Sequence, residues 1–533
     1  MKKKRNLLIA GIVMSVACQS AQGVNPYLPL WEHIPDGEPY LFDDPDNPGK
    51  KRVYIYGSHD NRKTDYCGLD QVVWSASPDS LGVWRYDGVI FESKVGADGR
   101  LLNEGGIGDV LFAPDVAEVT LPDGKKEYYL YPNTQNGGRT TMIAKADRPD
   151  GPFKVCNWSG TNPHETVGVL QFDPAVFVDD DGRVYGYWGF MNSMAAELDP
   201  ATMCTVKPGT EIITDMIPSF QQDSVFRFFE ASSIRKIDGK YVFVYSRWSA
   251  PGEWGLKDTN YTLGYAYSDN PLGPWTYGGT IIDGRGRDTD ADGKTIVTAS
   301  PSGNTHGSIL EINGQWWVFF HRQTGTQEYS RQAMVAPIDV NVTDDGRVVI
   351  SEGEMTSEGF EINGLDPFKR YPAAIASHYT GPTPAYQDGQ VMYSGPYIEP
   401  LYIENPDEVK DNAYDLSINY NPMVHITDGS TVGYKYFNFD GLEGEKNAKL
   451  LLDIIPTGFA GTIKVWASAP WKGEPKQIGE VKIEGEMPAE ATEISVDLYG
   501  LDCLKGKHPL YLTFESPKKD EPICTLRYLE FVK

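Results

Sequence analysis

Asp173-Pro-Ala-Val-Phe-Val-Asp-Asp-Asp-Gly-Arg-Val-Tyr-Gly-Tyr-Trp-Gly189 reads as a strand, a tight turn and a second strand. The Asp-Gly pair supplies the positive φ that a short hairpin needs. A carboxylate opens the first strand, directly ahead of an apolar run. A charge in that place needs a polar setting, because burying it alone costs far more than the strand gains.

The pattern recurs. Asp36-Gly-Glu-Pro-Tyr-Leu-Phe42 precedes Arg52-Val-Tyr-Ile-Tyr56, and Asp115-Val-Ala-Glu-Val-Thr-Leu-Pro-Asp-Gly124 precedes Glu127-Tyr-Tyr-Leu-Tyr131. Glu230-Ala-Ser-Ser-Ile-Arg-Lys-Ile-Asp-Gly239 precedes Tyr241-Val-Phe-Val-Tyr245, and His306-Gly-Ser-Ile-Leu-Glu-Ile-Asn-Gly314 precedes Trp316-Trp-Val-Phe-Phe320. The polar residues that open the copies are 79, 58, 57 and 76 positions apart, and helical periodicity is nearly absent. Hairpin repeats of this size predict a β-propeller, here with five blades. The innermost strand of each blade lines a central channel. The spacing therefore gathers Asp36, Asp115, Asp173, Glu230 and His306 at one channel mouth.

Carboxyl groups facing one another across a pocket suit glycosidic bond cleavage. One must be protonated to serve the leaving oxygen, the other ionised, and crowding drives their pKa values apart. An acid–base separation of about 6.5–9.5 Å admits a water between them and inverts configuration. The aromatic load, 12 Trp and 31 Tyr, suits both sugar faces and β-rich cores.

Ile34-Pro-Asp-Gly-Glu-Pro39, Phe112-Ala-Pro-Asp-Val116, Phe172-Asp-Pro-Ala-Val-Phe-Val-Asp-Asp-Asp-Gly182 and Phe229-Glu-Ala-Ser-Ser233 resemble glycoside hydrolase family 43, in order, over about residues 25–355. The resemblance implies an inverting exo-glycosidase on a five-bladed propeller, acting on plant polysaccharide side chains. α-L-Arabinofuranosidase is the leading activity, with β-xylosidase or exo-β-galactosidase as alternatives. It implies Asp36 as general base, Asp115 as the residue that orients the acid and raises its pKa, and Glu230 as general acid. His306 matches a histidine that holds a structural calcium ion or its waters in the channel, and Arg331, in Tyr329-Ser-Arg-Gln332, matches a sugar contact. Asp173 and Trp188 fall on the pocket wall. Members commonly read Ala-Asp-Pro at the base, whereas this chain reads Pro35-Asp36-Gly37. A slip of two residues would put Glu38 in that place, because period-two alternation sets both on one face. A catalytically inactive glycan-binding protein is the reading from another class.

Other signals are weaker. Asp288-Thr-Asp-Ala-Asp-Gly293 copies the first half of a calcium loop, but position 12 is Ala299, so it reads as an acidic surface loop. His59, in Gly-Ser-His-Asp60, either lines the pocket or caps a loop. No organic cofactor motif is present: there is no P-loop and no dinucleotide-binding glycine pattern.

The chain's 533 residues suggest two to four domains. Residues 1–23 read as a signal peptide: Lys2 to Arg5, an apolar run from Leu7 to Ala17, and Ala21-Gln22-Gly23. A rival cleavage would leave Cys18 first as a lipid anchor. The protein is expected to be exported, to the periplasm, the medium or the outer membrane as a lipoprotein, with no membrane span. The formal charge of −26 becomes −30 once the four leader cations are removed, which disfavours nucleic acid as a partner and leaves oligo- or polysaccharide. Among the five later cysteines, Cys503 and Cys524 either bridge or stay as thiols.

The propeller repeat spans residues 24–364. Residues 365–409, rich in Pro, Gly and Tyr, read as a linker. Residues 410–533 show short alternating strands, a β-sandwich of jelly-roll type. Ile426-Thr-Asp-Gly-Ser-Thr-Val-Gly-Tyr-Lys-Tyr436 resembles carbohydrate-binding module family 6. Tyr434, Tyr436, Trp466 and Trp471 are its candidate sugar-facing aromatics, or simply core.

Overall fold

The computed structural model describes residues 23–93, 108–135, 139–256, 259–299, 303–324, 327–382, 384–387, 390–393 and 395–533. The leader and Cys18 lie outside the described residues. Among the described residues no helix is long and apolar enough to cross a membrane.

Five antiparallel sheets follow one another along the chain. Blade one holds β1 (Glu38–Asp43), β2 (Lys51–Tyr56), β3 (Asp70–Ser77) and β4 (Ser80–Glu92). Blade two holds β5 (Asp115–Thr120), β6 (Lys126–Tyr131), β7 (Ala144–Ala146) and β8 (Lys154–Val155). Blade three holds β9 (Ala175–Val178), β10 (Val184–Trp188), β11 (Met194–Leu198) and β12 (Ile213–Thr214). Blade four holds β13 (Phe228–Ile237), β14 (Lys240–Trp248), β15 (Tyr261–Ser268) and β16 (Thr276–Ile282). A small hairpin, β17 (Arg287–Thr289) and β18 (Thr295–Val297), precedes blade five, which has β19 (Ser308–Ile312), β20 (Gln315–Arg322) and β21 (Gln332–Ile338). The turns are those the sequence requires: Asp238-Gly239 and Asn313-Gly314 both have positive φ at both positions.

Among the described residues blade five has three strands of its own. The chain start supplies a fourth edge: the Tyr27 amide donates to Ala333 O, and Asn25 exchanges hydrogen bonds with Val335. A parallel bridge between Gly37 and Gly307 joins the inner strands of blades one and five. Separate apolar cores fill the successive gaps between blades: Tyr54 with Leu130, Trp188 with Tyr131, and Tyr187 with Phe243.

The C-terminal third forms two facing sheets, one centred on Cys524–Val532 and Lys449–Pro456, the other on Thr431–Asn438 and Lys507–Glu515. Residues 365–409 were expected to be a linker, but they carry strands. Tyr371–Pro372 and Tyr397–Ile398 join the first sheet and His378–Thr380 the second. Strands of two or three residues carry no readable alternation, so composition alone suggested a linker. The sandwich shares one continuous core with blades four and five, from Val244 and Val318 to Leu450 and Leu512. Arg322, fully buried on β20, donates to the carbonyls of Ala374 and Ala376 and so fastens the two parts together.

Cys503 is exposed, Cys524 is buried, and both are free thiols, so the bridge between them does not form. Asp288-to-Gly293 closes the β17–β18 hairpin, and Asp288 pairs with Lys472 of the sandwich.

Candidate active site

Asp36 and Asp173 each stand two residues before the inner strand of their blade, and His306 stands two before β19. Glu230 lies inside β13 between two register shifts, and a bulge of this kind re-aims a side chain. All four line one cavity of about 540 Å³, with Phe112, Ala113, Phe172, Trp248, Tyr261, Asn304 and Arg331 among its walls. Asp36 (φ 59°), Asp173 (φ 44°) and Ala231 (φ 64°) occupy the left-handed region. Non-glycine residues there cost about 1–3 kcal/mol each and cluster at functional sites.

Asp36 is held from three sides. Ser58 Oγ donates to its Oδ2 at 2.6 Å, and Arg331 Nη1 to its Oδ1 at 3.1 Å. Its amide donates to His321 Nδ1 at 3.2 Å, so the His321 proton sits on Nε2 and serves Asn304 Oδ1 at 2.7 Å. Burial alone would raise the Asp36 pKa, but the Arg331 charge and the Ser58 hydroxyl outweigh it and hold the group below the usual aspartate value. Arg331 is fixed in turn by Asp60, whose oxygens accept from Nε and Nη2, both at 2.9 Å.

Glu230 has the opposite bias. Burial pushes its pKa well above the ordinary glutamate value, and the Asp173 and Asp36 charges push the same way. Burial and Asp36 also raise Asp173, so the pair holds a proton between them. Asp173 accepts from Asn133 Nδ2 at 2.8 Å and from the Ala231 amide at 3.1 Å. The Glu230 carboxyl accepts no hydrogen bond from the described residues. Of the two, Asp173 has the donors that favour a carboxylate, so it ionises first and Glu230 keeps its proton to higher pH.

Asp115 does not line the cavity. It is the first residue of β5, in step with Glu38 at the head of β1, and the two form a lower tier of the channel. Asp115 accepts from Tyr40 Oη at 2.5 Å and from the Val176 amide at 2.6 Å, while Glu38 pairs with Arg235 at 2.9 Å. Both are 1% exposed. Burial raises Asp115 to about 6 and Glu38 to about 7. The expected place of Asp115 beside the acid is thus occupied by Asp173, because the blade-two motif carries its aspartate two residues later. The same two-residue step separates Glu38 from the cavity and leaves Asp36 on it.

Trp188 is 4% exposed and packs between blades two and three, so it is core and not pocket wall. His59 turns away and lies between Glu32 at 3.1 Å and Asp70 at 2.8 Å. Burial opposes its charge, but the two carboxylates outweigh burial and raise its pKa well above the usual value. Its neighbours Ser58 and Asp60 point the other way, to Asp36 and Arg331. Period-two alternation along the end of β2 was the available signal for both. Nothing in the sequence marks His321, Asn304, Trp248 or Tyr261, which reach the site from blades four and five.

His306 Nδ1 lies 4.0 Å from Asp36 and 3.9 Å from Asp173, and its Nε2 has no partner among the described residues. Burial lowers its pKa to about 4, so it is neutral. Calcium takes six to eight oxygen ligands. Among the described residues no group of three or more His, Cys, Asp or Glu side chains converges on one point. Side chains of these four types therefore do not by themselves make a calcium cage among the described residues.

A propeller whose axis carries one ionised and one protonated carboxyl group across a single cavity defines a glycoside hydrolase. Residues 49–347 match the family described as Glycosyl hydrolases family 43. The chain belongs to that family. It is 34% identical over 532 residues to a xylosidase/arabinosidase of Thermoclostridium stercorarium, a match covering 95% of this chain and 99% of the relative. An arabinoxylan arabinofuranohydrolase of Paenibacillus polymyxa is 28% identical over 384 residues, 68% of this chain and 55% of the relative. Xylosidase/arabinosidase 43A of Humicola insolens is 30% identical over 345 residues, 57% of this chain and 94% of the relative.

Proposed function

We propose that the protein is an exported, inverting exo-α-L-arabinofuranosidase that trims the side chains of plant polysaccharides. The observation that carries the chemistry is the opposite bias of Asp36 and Glu230 toward one cavity. Glu230 gives its proton to the glycosidic oxygen as the bond to the anomeric carbon breaks. Asp36 takes a proton from a water that attacks the same carbon from the opposite face. Asp173 keeps Glu230 protonated between turnovers, and Arg331 keeps Asp36 ionised. Water then returns a proton to Glu230 and removes one from Asp36.

Arabinose is the preferred sugar because all three relatives carry arabinose-releasing names. Xylose is the second reading, since two of those names join both sugars. Nitrophenyl arabinofuranoside and nitrophenyl xyloside, assayed side by side, separate the two. Faster release from the xyloside would overturn the first reading. Proton NMR of the first-formed anomer tests inversion.

The sandwich serves as a brace. Tyr434 is fully buried, Trp466 donates to Thr513, Trp471 stacks on His378, and Tyr436 donates to Glu354. Each of the four candidate aromatics is engaged within the protein.

A further inference from the structure

One large apolar side chain beside the cavity has no place in the chemistry above. Phe190 is 43% exposed. A lone exposed apolar residue is ordinary, but this one is mounted. It follows Gly189 (φ 133°), where a Cβ would lie 2.0 Å from Asn192 O, so the turn admits only glycine there. The Gly189 amide donates to Phe172 O at 2.8 Å and the Met191 amide to Phe229 O at 2.7 Å. Phe172 immediately precedes Asp173, and Phe229 immediately precedes Glu230. The backbone on either side of Phe190 is thus pinned to the two segments that carry the acid and its partner.

The ring belongs to a connected aromatic ridge. It lies 4.9 Å from Phe172 and 5.0 Å from Phe229, and Phe229 touches Trp248 at 5.0 Å and Tyr261 at 4.8 Å. Phe172, Trp248 and Tyr261 line the cavity, whereas Phe190 lies one ring beyond its wall. The acid must stand on the side of the leaving group, because its proton goes to the leaving oxygen. The ridge flanks Glu230, so whatever departs meets it first.

We propose that Phe190 is the platform for the leaving group, stacking under the main-chain sugar ring of the polysaccharide that bears the cleaved side unit. This rests on the glycosidase reading above and adds the part of the substrate outside the cavity. Sugar rings present an apolar C–H face, and a ring held rigidly in place loses little entropy on binding. The platform makes this residue a determinant of specificity for polymer over small glycoside.

The test compares kcat/KM on an arabinoxylan oligosaccharide with kcat/KM on methyl α-L-arabinofuranoside, whose leaving methanol has no ring. Phe190→Ala should lower the ratio of the two about tenfold, as expected for losing part of one buried aromatic contact. Phe190→Tyr should keep the ratio near that of the parent enzyme. An unchanged ratio in Phe190→Ala, including an equal fall on both substrates, overturns the platform. So does a Tyr variant that behaves like Ala. If the parent enzyme cleaves neither arabinoside, the sugar assignment fails alone, and the same ratio is read with a xylo-oligosaccharide and methyl β-D-xyloside.

Discussion

Blades two and three enter the channel with nearly the same words. One reads Phe112-Ala-Pro-Asp115 and the other Phe172-Asp-Pro-Ala175, with alanine and aspartate exchanged around the proline. Phe112 and Phe172 both line the cavity, and so do Ala113 and Asp173. Asp115 and Ala175 each begin the inner strand below. One exchange therefore moves a carboxylate down a tier. The upper group stays at the cavity, where burial and the Asp36 charge raise its pKa and where its own charge raises that of Glu230. The lower group is sealed by a tyrosine hydroxyl and a backbone amide. Two residues on a strand span about 6.6 Å, enough to separate a group that tunes catalysis from one that holds blades together.

The tier comparison can be broken at several points. The largest effect should come from Glu230→Gln, which removes the proton donor and should slow hydrolysis of unactivated arabinosides by about 10²–10⁴-fold with sugar binding retained. Surviving turnover would remove the acid from Glu230. Asp36→Asn should cost a similar factor, while Glu38→Gln, one tier down, should cost far less. The reverse ranking in steady-state kinetics would move the base to Glu38. Ser58→Ala deletes a hydrogen bond to ionised Asp36 and should slow the reaction about tenfold. Because that bond lowers the Asp36 pKa, its loss should raise that pKa and move the acidic limb of the pH–rate profile upward. An unmoved limb would show that Ser58 only packs. The smallest kinetic effect belongs to Asp115→Asn. It disturbs two buried hydrogen bonds, so it should lower stability to denaturant by about 1–3 kcal/mol and leave kcat nearly intact.

The fold was legible because each hairpin has its own turn signal. Asp-Gly and Asn-Gly mark blades two to five, and the aromatic strand after each turn supplies one face of the core between blades. The closure was not legible, since Asn25 and Tyr27 pair with blade five without forming a strand of their own. The site was half legible. Asp36, Asp173, Glu230, His306 and Arg331 line one cavity. Asp115 was misplaced because a motif aligned on its aspartate hides a two-residue step that only strand register reveals. Trp188 was misplaced because alternation along β10 turns it into the gap between blades, two positions short of the exposed Phe190. His321 was invisible for a different reason: its task is to accept a backbone hydrogen bond, and that leaves no trace in side-chain spacing.

The most direct test compares the alkaline limbs of the pH–kcat/KM profiles of Asp173→Asn and Asp115→Asn. That limb reports loss of the Glu230 proton. Removing the Asp173 charge takes away a repulsion that raises the Glu230 pKa, so the limb should move to lower pH in Asp173→Asn and stay in place in Asp115→Asn. A shift in Asp115→Asn with none in Asp173→Asn would contradict the assignment.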